Sequence, residues 1–380
     1  MRTALLPILA ALAVACSTTP RGPRAVDASP TNPDATPAAK AVLAYLAAHS
    51  TGEFQGTVVG QNAGHGDQIA DANNTLMGFD ALVGALHEDT GEWVGMVGVD
   101  YEHDLVFRPE QLAAANAVLI AHWERGGLVT INWAPQSPWL IDEADLSDGH
   151  QGVWTNTRSQ GGANLADVDL DALVNPSSAI FPVWRRKLDR IATALAQLRD
   201  AGVVVLWRPM QEMNGEWFWW GHGTYGNDGG PYRRVWQDMY RYFTEEKGLD
   251  NLLWVYSPAD GGAKAAAQNY PGADYVDVVG PTCYGNALRP GRWGSYLEFG
   301  KPVGFAELGP NDRGDGTFDN RSYLEAIRER YPEAAYFVAW HNWDWGDGTT
   351  AHMSLTENQH AAELLAAPGV ITAAELPAFE

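Results

Sequence analysis

Short apolar runs that are continuous rather than alternating recur along this chain, each closed by Gly, Pro or a polar residue. In order they predict strands near residues 58–61, 96–101, 128–133, 203–209, 252–256, 276–284, 302–307 and 336–343. A run without alternation is what a parallel strand buried on both faces requires. Amphipathic segments lie between the runs. The clearest covers 181–199, with Leu188, Ile191, Leu195 and Leu198 at helical spacing and Ala201-Gly202 as its stop. Strand and helix alternating in this way predict an α/β fold of the (β/α)8 TIM barrel type.

Two of the runs end in a carboxylate. The run 203–209 stops at Pro209, and Met210-Gln211-Glu212 follows directly, so Glu212 falls at the carboxyl end of a strand, where ligands bind in such folds. Trp217, Phe218, Trp219 and Trp220 come next. One short loop is not expected to turn all four aromatic rings inward, so they are predicted to wrap Glu212. A carboxyl beside indole rings is partly desolvated, which raises its pKa and suits it to act as a general acid. The second candidate is Glu307, at the end of the short run opened by Lys301-Pro302 and broken by Gly309-Pro310. A pair of strand-end glutamates at one rim predicts a retaining glycosidase, one acting as acid and the other as nucleophile. Arg208 lies four residues before Glu212, either holding the site's carboxylates or forming a structural ion pair.

With these motifs, segments 97–101, 126–130, 184–189, 243–249, 251–258, 270–280 and 304–307 give the chain a clear likeness. It resembles glycoside hydrolase family 26, a (β/α)8 family of retaining enzymes best known for β-mannanases, over most of residues 55–345. The resemblance implies Glu212 as acid/base and Glu307 as nucleophile. It further implies that Tyr284 hydrogen-bonds Glu307, that Trp340 lies under the sugar being cleaved, and that Trp217 contacts the leaving-group side. Asp100, Tyr101, Trp133 and Trp154 are additional rim candidates. Three positions depart from the family pattern. Gln211 replaces the usual His before the acid/base, Ala134 replaces a His after Trp133, and Thr282 replaces an Asp two residues before Tyr284. An amide and an imidazole present different donors and acceptors to a sugar hydroxyl, so Gln211 is a specificity candidate. The expectation is a retaining endo-acting β-glycanase, with β-1,4-mannan as first substrate. β-1,3-xylan or mixed-linkage β-glucan is the enzymatic alternative, and a glycan-binding surface lipoprotein without turnover the non-enzymatic one.

Composition narrows the partner. A formal net charge of -22 argues against nucleic acid and against strongly anionic polysaccharides, leaving a neutral glycan. Sixteen Trp residues suit the apolar faces of pyranose rings, although core filling accounts for several of them. No cofactor and no metal is expected. His65, His103, His222 and His341 do not have a zinc-ligand spacing, and the Asp-rich stretch 311–316 lacks the closing Glu of a calcium loop.

The amino terminus predicts export. Arg2, an apolar run over 5–15 and Cys16 read as a signal ending at residue 15. Residues 12–16 resemble a bacterial lipoprotein junction, so Cys16 is expected to carry a lipid, with ordinary cleavage and secretion as the alternative. Residues 16–38, with Pro20, Pro23, Pro30, Pro33 and Pro37, predict an extended tether, and 39–380 a single catalytic barrel working as a monomer. Cys283, the other cysteine, is expected to be a buried thiol outside any disulfide.

Overall fold

The computed structural model describes residues 23–71, 74, 76–101, 108–139, 152–153, 168–311 and 313–379. The export segment, Cys16, His103, Trp154 and Asp312 lie outside these residues.

The first helix, α1 (Pro37–His49), starts where Thr36 accepts a hydrogen bond from the Ala39 N–H and Pro37 occupies the first turn. Strands β1 (Thr57–His65), β2 (Met96–Asp100), β3 (Leu128–Trp133), β4 (Val205–Pro209) and β5 (Leu252–Tyr256) follow in sequence, each parallel to its predecessor. The sixth position is split into β6 (Val278–Val279) and β7 (Thr282–Tyr284), interrupted at Gly280-Pro281 where Pro281 has no N–H to donate. Then come β8 (Val303–Gly309) and β9 (Ala334–Ala339). Because β9 pairs with both β8 and β1, the sheet closes on itself. The predicted barrel is therefore the observed fold. Its last predicted strand stops early, at Ala339, so Trp340 opens a loop.

Helices α2 (Ala85–Thr90), α3 (Pro109–Glu124), α4 (Phe181–Asp200), α5 (His222–Tyr225), α6 (Gly230–Arg241), α7 (Trp293–Leu297), α8 (Arg321–Arg330) and α9 (Ala361–Leu365) lie between or after the strands. In α4 the apolar stripe predicted from the sequence is buried, with Leu188, Ile191, Leu195 and Leu198 all inaccessible. A short antiparallel hairpin, β10 (Trp343–Asp344) with β11 (Thr350–Ala351), stands on the rim, and β12 (Val370–Ile371) pairs with β1.

Two apolar cores result. The larger joins the helices to the outer faces of the strands. The smaller gathers strand residues such as Val58, Leu206, Leu253, Val278 and Ala306 around Val42, Leu43 and Leu46 of α1. Helix α1 thus plugs one end of the barrel, and the strands' carboxyl ends are left for the site.

Part of the expected tether is docked instead. Arg24 donates to the carbonyls of Ser50, Leu297 and Lys301, Asp27 pairs with Lys301 at 2.7 Å, and the Thr31 N–H donates to Asp277 at 2.6 Å. Ala35 is buried. From Arg24 onward the segment is a strap along the plugged end, fixed by polar contacts that a proline-rich composition does not reveal. At the other terminus Phe379 packs against Tyr45 of α1 and Trp123 of α3.

Candidate active site

The turn after β4 builds the site. Met210 and Glu212 both have positive φ, 49° and 58°, an uncommon conformation for side chains other than glycine. Neighbouring strands hold the turn there: the Met210 N–H donates to the Trp133 carbonyl of β3 and the Glu212 N–H to the Ser257 carbonyl beyond β5. Backbone strain of this kind persists only where surrounding contacts over-determine it.

Glu212 is half-buried and accepts the Trp217 indole N–H at 2.6 Å. Burial, and then the charge of Glu307, push its carboxyl up to about 7, against the opposing influence of Arg208, Trp217 and Thr282. Desolvation outweighs the favourable contacts, so the group holds a proton near neutral pH. Trp217 itself stands over Gly215, where an added Cβ would meet the indole at 2.5 Å.

Glu307, at the end of β8, is buried and doubly supported. Arg208 donates to Oε2 at 2.5 Å and the Tyr284 hydroxyl to Oε1 at 2.7 Å. Burial and the neighbouring carboxylate push the Tyr284 phenol well above its ordinary value, so it remains a donor. Arg208 is 1% exposed, and every arm of its guanidinium is occupied: Nε by Ser257, Nη1 by Asn132, and Nη2 by Thr282 as well as Glu307. A planar fork held on four partners has no freedom to leave the carboxylate it compensates. Trp340 caps this group, its ring 5.7 Å from the guanidinium carbon.

Gln211, one residue before Glu212, is buried to 4% exposure. Its main-chain carbonyl accepts the Trp220 indole N–H, whereas its side-chain Oε1 has no hydrogen-bond partner. A buried amide oxygen without a partner is costly.

Several sequence expectations need correction. Three of the four aromatic residues after Glu212 are core. Phe218, Trp219 and Trp220 are at most 7% exposed, with Trp219 packed edge-on against Trp184 and Trp220 stacked on Phe218, and only Trp217 reaches the carboxyl. One loop does turn these rings inward: Trp219 packs on Trp184 of α4 and donates to the Pro135 carbonyl, and Trp220 donates to the Gln211 carbonyl. Trp133 is also core, stacked between Trp184 and Trp207. Tyr101 is fully buried and its hydroxyl donates to Asn116 of α3, on the outer side of the barrel. Asp100 is buried at the end of β2. Sequence reasoning missed Asn132 and Ser257, the residues that aim Arg208. Their signal was available, since Asn132 interrupts an apolar run just before its last residue and Ser257 directly follows another. Among the described residues no group of His, Cys, Asp and Glu is arranged to hold a metal. Cys283 is a buried free thiol.

The arrangement sets Glu212, pushed up to about 7, beside Glu307, which accepts from Arg208 and Tyr284, at one end of a parallel barrel. Two carboxyl groups held so differently are suited to acid-assisted displacement at a sugar's anomeric carbon. The chain is 33% identical over 321 residues to mannan endo-1,4-beta-mannosidase A and B of Caldalkalibacillus mannanilyticus, covering 82% of this chain and 58% of that protein's length. It is 31% identical to a mannan endo-1,4-beta-mannosidase of Bacillus subtilis, with 82% of both chains covered. The solved structure of a Bacillus subtilis mannanase superposes with a TM-score of 0.72 at 26% identity, over 93% of this chain and 99% of that one. Residues 31–372 match Glycosyl hydrolase family 26. By sequence, barrel and relatives alike, this chain is a member of glycosyl hydrolase family 26.

Proposed function

We propose that the protein is a retaining endo-acting β-mannanase that hydrolyses β-1,4-mannan, with Glu212 as acid/base and Glu307 as nucleophile. The observation that carries the reading is the unequal treatment of the two carboxyl groups: Glu212 is pushed up to about 7, while Glu307 receives Arg208 and Tyr284. In the first step a Glu307 oxygen attacks the anomeric carbon as the Glu212 proton passes to the departing glycosidic oxygen. A glycosyl ester forms and the leaving chain departs as an alcohol. In the second step Glu212, now ionised, takes a proton from water, and the water oxygen displaces Glu307. Two inversions return the β configuration. The names of the two relatives described above, both mannan endo-1,4-beta-mannosidases, support mannan as substrate.

The test is incubation of the purified protein with mannan, β-1,3-xylan and mixed-linkage β-glucan, followed by product sizing and by NMR of the first anomer released. Internal fragments from mannan with the β anomer first are expected. First release of the α anomer overturns the retaining mechanism, cleavage of xylan or glucan alone overturns mannan, and binding without cleavage overturns catalysis.

We further propose, from Arg2, the apolar run over 5–15 and Cys16, that the enzyme works outside the cytoplasm. Residues 1–15 serve as the export signal, Cys16 is lipidated, and the barrel works as a monomer on the cell envelope. Cys16→Ser should shift the protein from the membrane pellet to the soluble fraction or block its processing. An unmodified amino terminus at Cys16 on a soluble wild-type protein would exclude the anchor.

A further inference from the structure

Trp345 is the exposed large hydrophobic side chain among the described residues, at 39% exposure. It follows β10 at the tip of the rim hairpin, and the contacts around it are those of a stiffened ring. Its main-chain N–H donates to the Thr349 carbonyl at 3.0 Å. The Arg313 guanidinium lies 4.6 Å from its ring centroid, and Arg313 Nη1 is in turn held at 2.9 Å by both Asp347 Oδ2 and Thr349 Oγ1. The loop that carries the indole therefore also fixes the cation packed on it.

This ring continues inward. Trp343 meets it edge-on at 5.6 Å, and Tyr284 meets Trp343 edge-on at 6.4 Å. Tyr284 is the residue that donates to Glu307. An unbroken line of aromatic contacts thus runs from the carboxylate to solvent along the loop that begins with Trp340. Single exposed apolar residues are ordinary on protein surfaces. A rigid indole, clamped by an ion-paired arginine and joined ring by ring to the reacting carboxylate, is a built surface. Flat faces that need no ordering on binding favour ligands with flat apolar faces of their own, and a pyranose unit has one.

We propose that Trp345 is the platform of an outlying sugar subsite, taking a pyranose unit of the glycan beyond those that flank the scissile bond. The assignment rests on the glycanase reading above and adds that the enzyme gains affinity from long chains.

The experiment compares wild type, Trp345→Ala, Trp345→Phe and Arg313→Ala, with matched melting temperatures, on a ladder of β-1,4-manno-oligosaccharides. The ratio of kcat/KM on the longest member to that on the shortest cleaved should fall about 3- to 10-fold in Trp345→Ala, mainly through KM. Trp345→Phe should retain most of the ratio, and Arg313→Ala should lose part of it. An unchanged ratio in Trp345→Ala overturns the subsite. Should wild type cleave xylan or glucan but not mannan, the mannan reading fails while the same ratio, measured on that glycan's ladder, decides the subsite independently. Should nothing be cleaved, calorimetric titration of Glu307→Gln and of Glu307→Gln/Trp345→Ala with the three ladders decides it, and absence of length-dependent binding overturns it.

Discussion

The Tyr284 ring lies directly over Gly309, its register partner across β7 and β8, and a Cβ added at Gly309 would come within 2.7 Å of that ring. The last residue of β8 thereby sets the position of the phenol that supports Glu307. Gly309→Ala should push Tyr284 off the carboxylate and lower kcat on the order of 10-fold, as Tyr284→Phe should. The added methyl should also cost about 1–3 kcal/mol of stability through overpacking. Steady-state kinetics and denaturant melts of both variants check this, and a fully active Gly309→Ala would show that the ring has room to move.

The protonation of Glu212 makes two pH effects. With Glu212 in the proposed role of acid, kcat/KM on substrates with poor leaving groups should fall with an apparent pKa of about 7 on the alkaline side. In Glu212→Gln an aryl glycoside with a good leaving group should recover part of the first step and lack that alkaline limb. Glu307→Gln should show no such recovery. Stability follows the same group with a definite sign. Its folded pKa is raised from the ordinary value of 4.5 to about 7, so between those values the native state binds more protons than the unfolded chain. Stability therefore falls as pH rises through this window, and Glu212→Gln should melt higher than wild type above pH 7, by up to about 3 kcal/mol. Equal melting temperatures at pH 8 would remove the desolvation argument.

Arg208 is the buried partner on which Glu307 depends. Arg208→Met removes the cation and leaves the carboxylate uncompensated, which should cost about 3–5 kcal/mol and most of the activity. Adding Glu307→Gln to that variant should restore part of the lost stability, since the uncompensated charge is then gone. Chemical denaturation of the single and double variants tests the coupling. Arg208→Lys keeps the charge but cannot reach Ser257, Asn132 and Thr282 together, so it should fold and remain poorly active.

Gln211 offers an unmatched buried acceptor one residue before Glu212. Polar groups of this kind reject a substrate that leaves them unpaired. Gln211→His should change the ratio of activity on mannan to activity on xylan or glucan at least about 10-fold, with a smaller effect on melting temperature. An unchanged ratio would move the question of specificity to Ala134 and Thr282.

The apolar runs specified the barrel because a strand buried on both faces leaves a mark in every residue. Strand ends were equally readable, which is why Glu212 and Glu307 stood out. Periodicity says nothing, however, about which layer a loop enters. Trp219 and Trp220 sit in a loop by sequence, yet pack under it against Trp184 and Gln211. Trp133 ends a strand, as rim residues do, yet faces outward into the helices. The cradle of Arg208 is assembled from β3, β7, β8 and the segment after β5, so its members are neighbours only after closure. The docked strap was hidden because its attachment is polar and main-chain, as at Arg24 and Asp277.

That strap gives the molecule a direction. Arg24 is fastened beside Lys301, at the beginning of β8, whereas Glu307 stands at that strand's far end. Phe379 is seated on α1, at the same plugged end. Both ends of the described chain thus emerge behind the catalytic face. A lipid, a partner domain or a solid support attached through either end would turn the cleft outward, and a polymer much longer than the enzyme could lie across the open face without meeting the attachment.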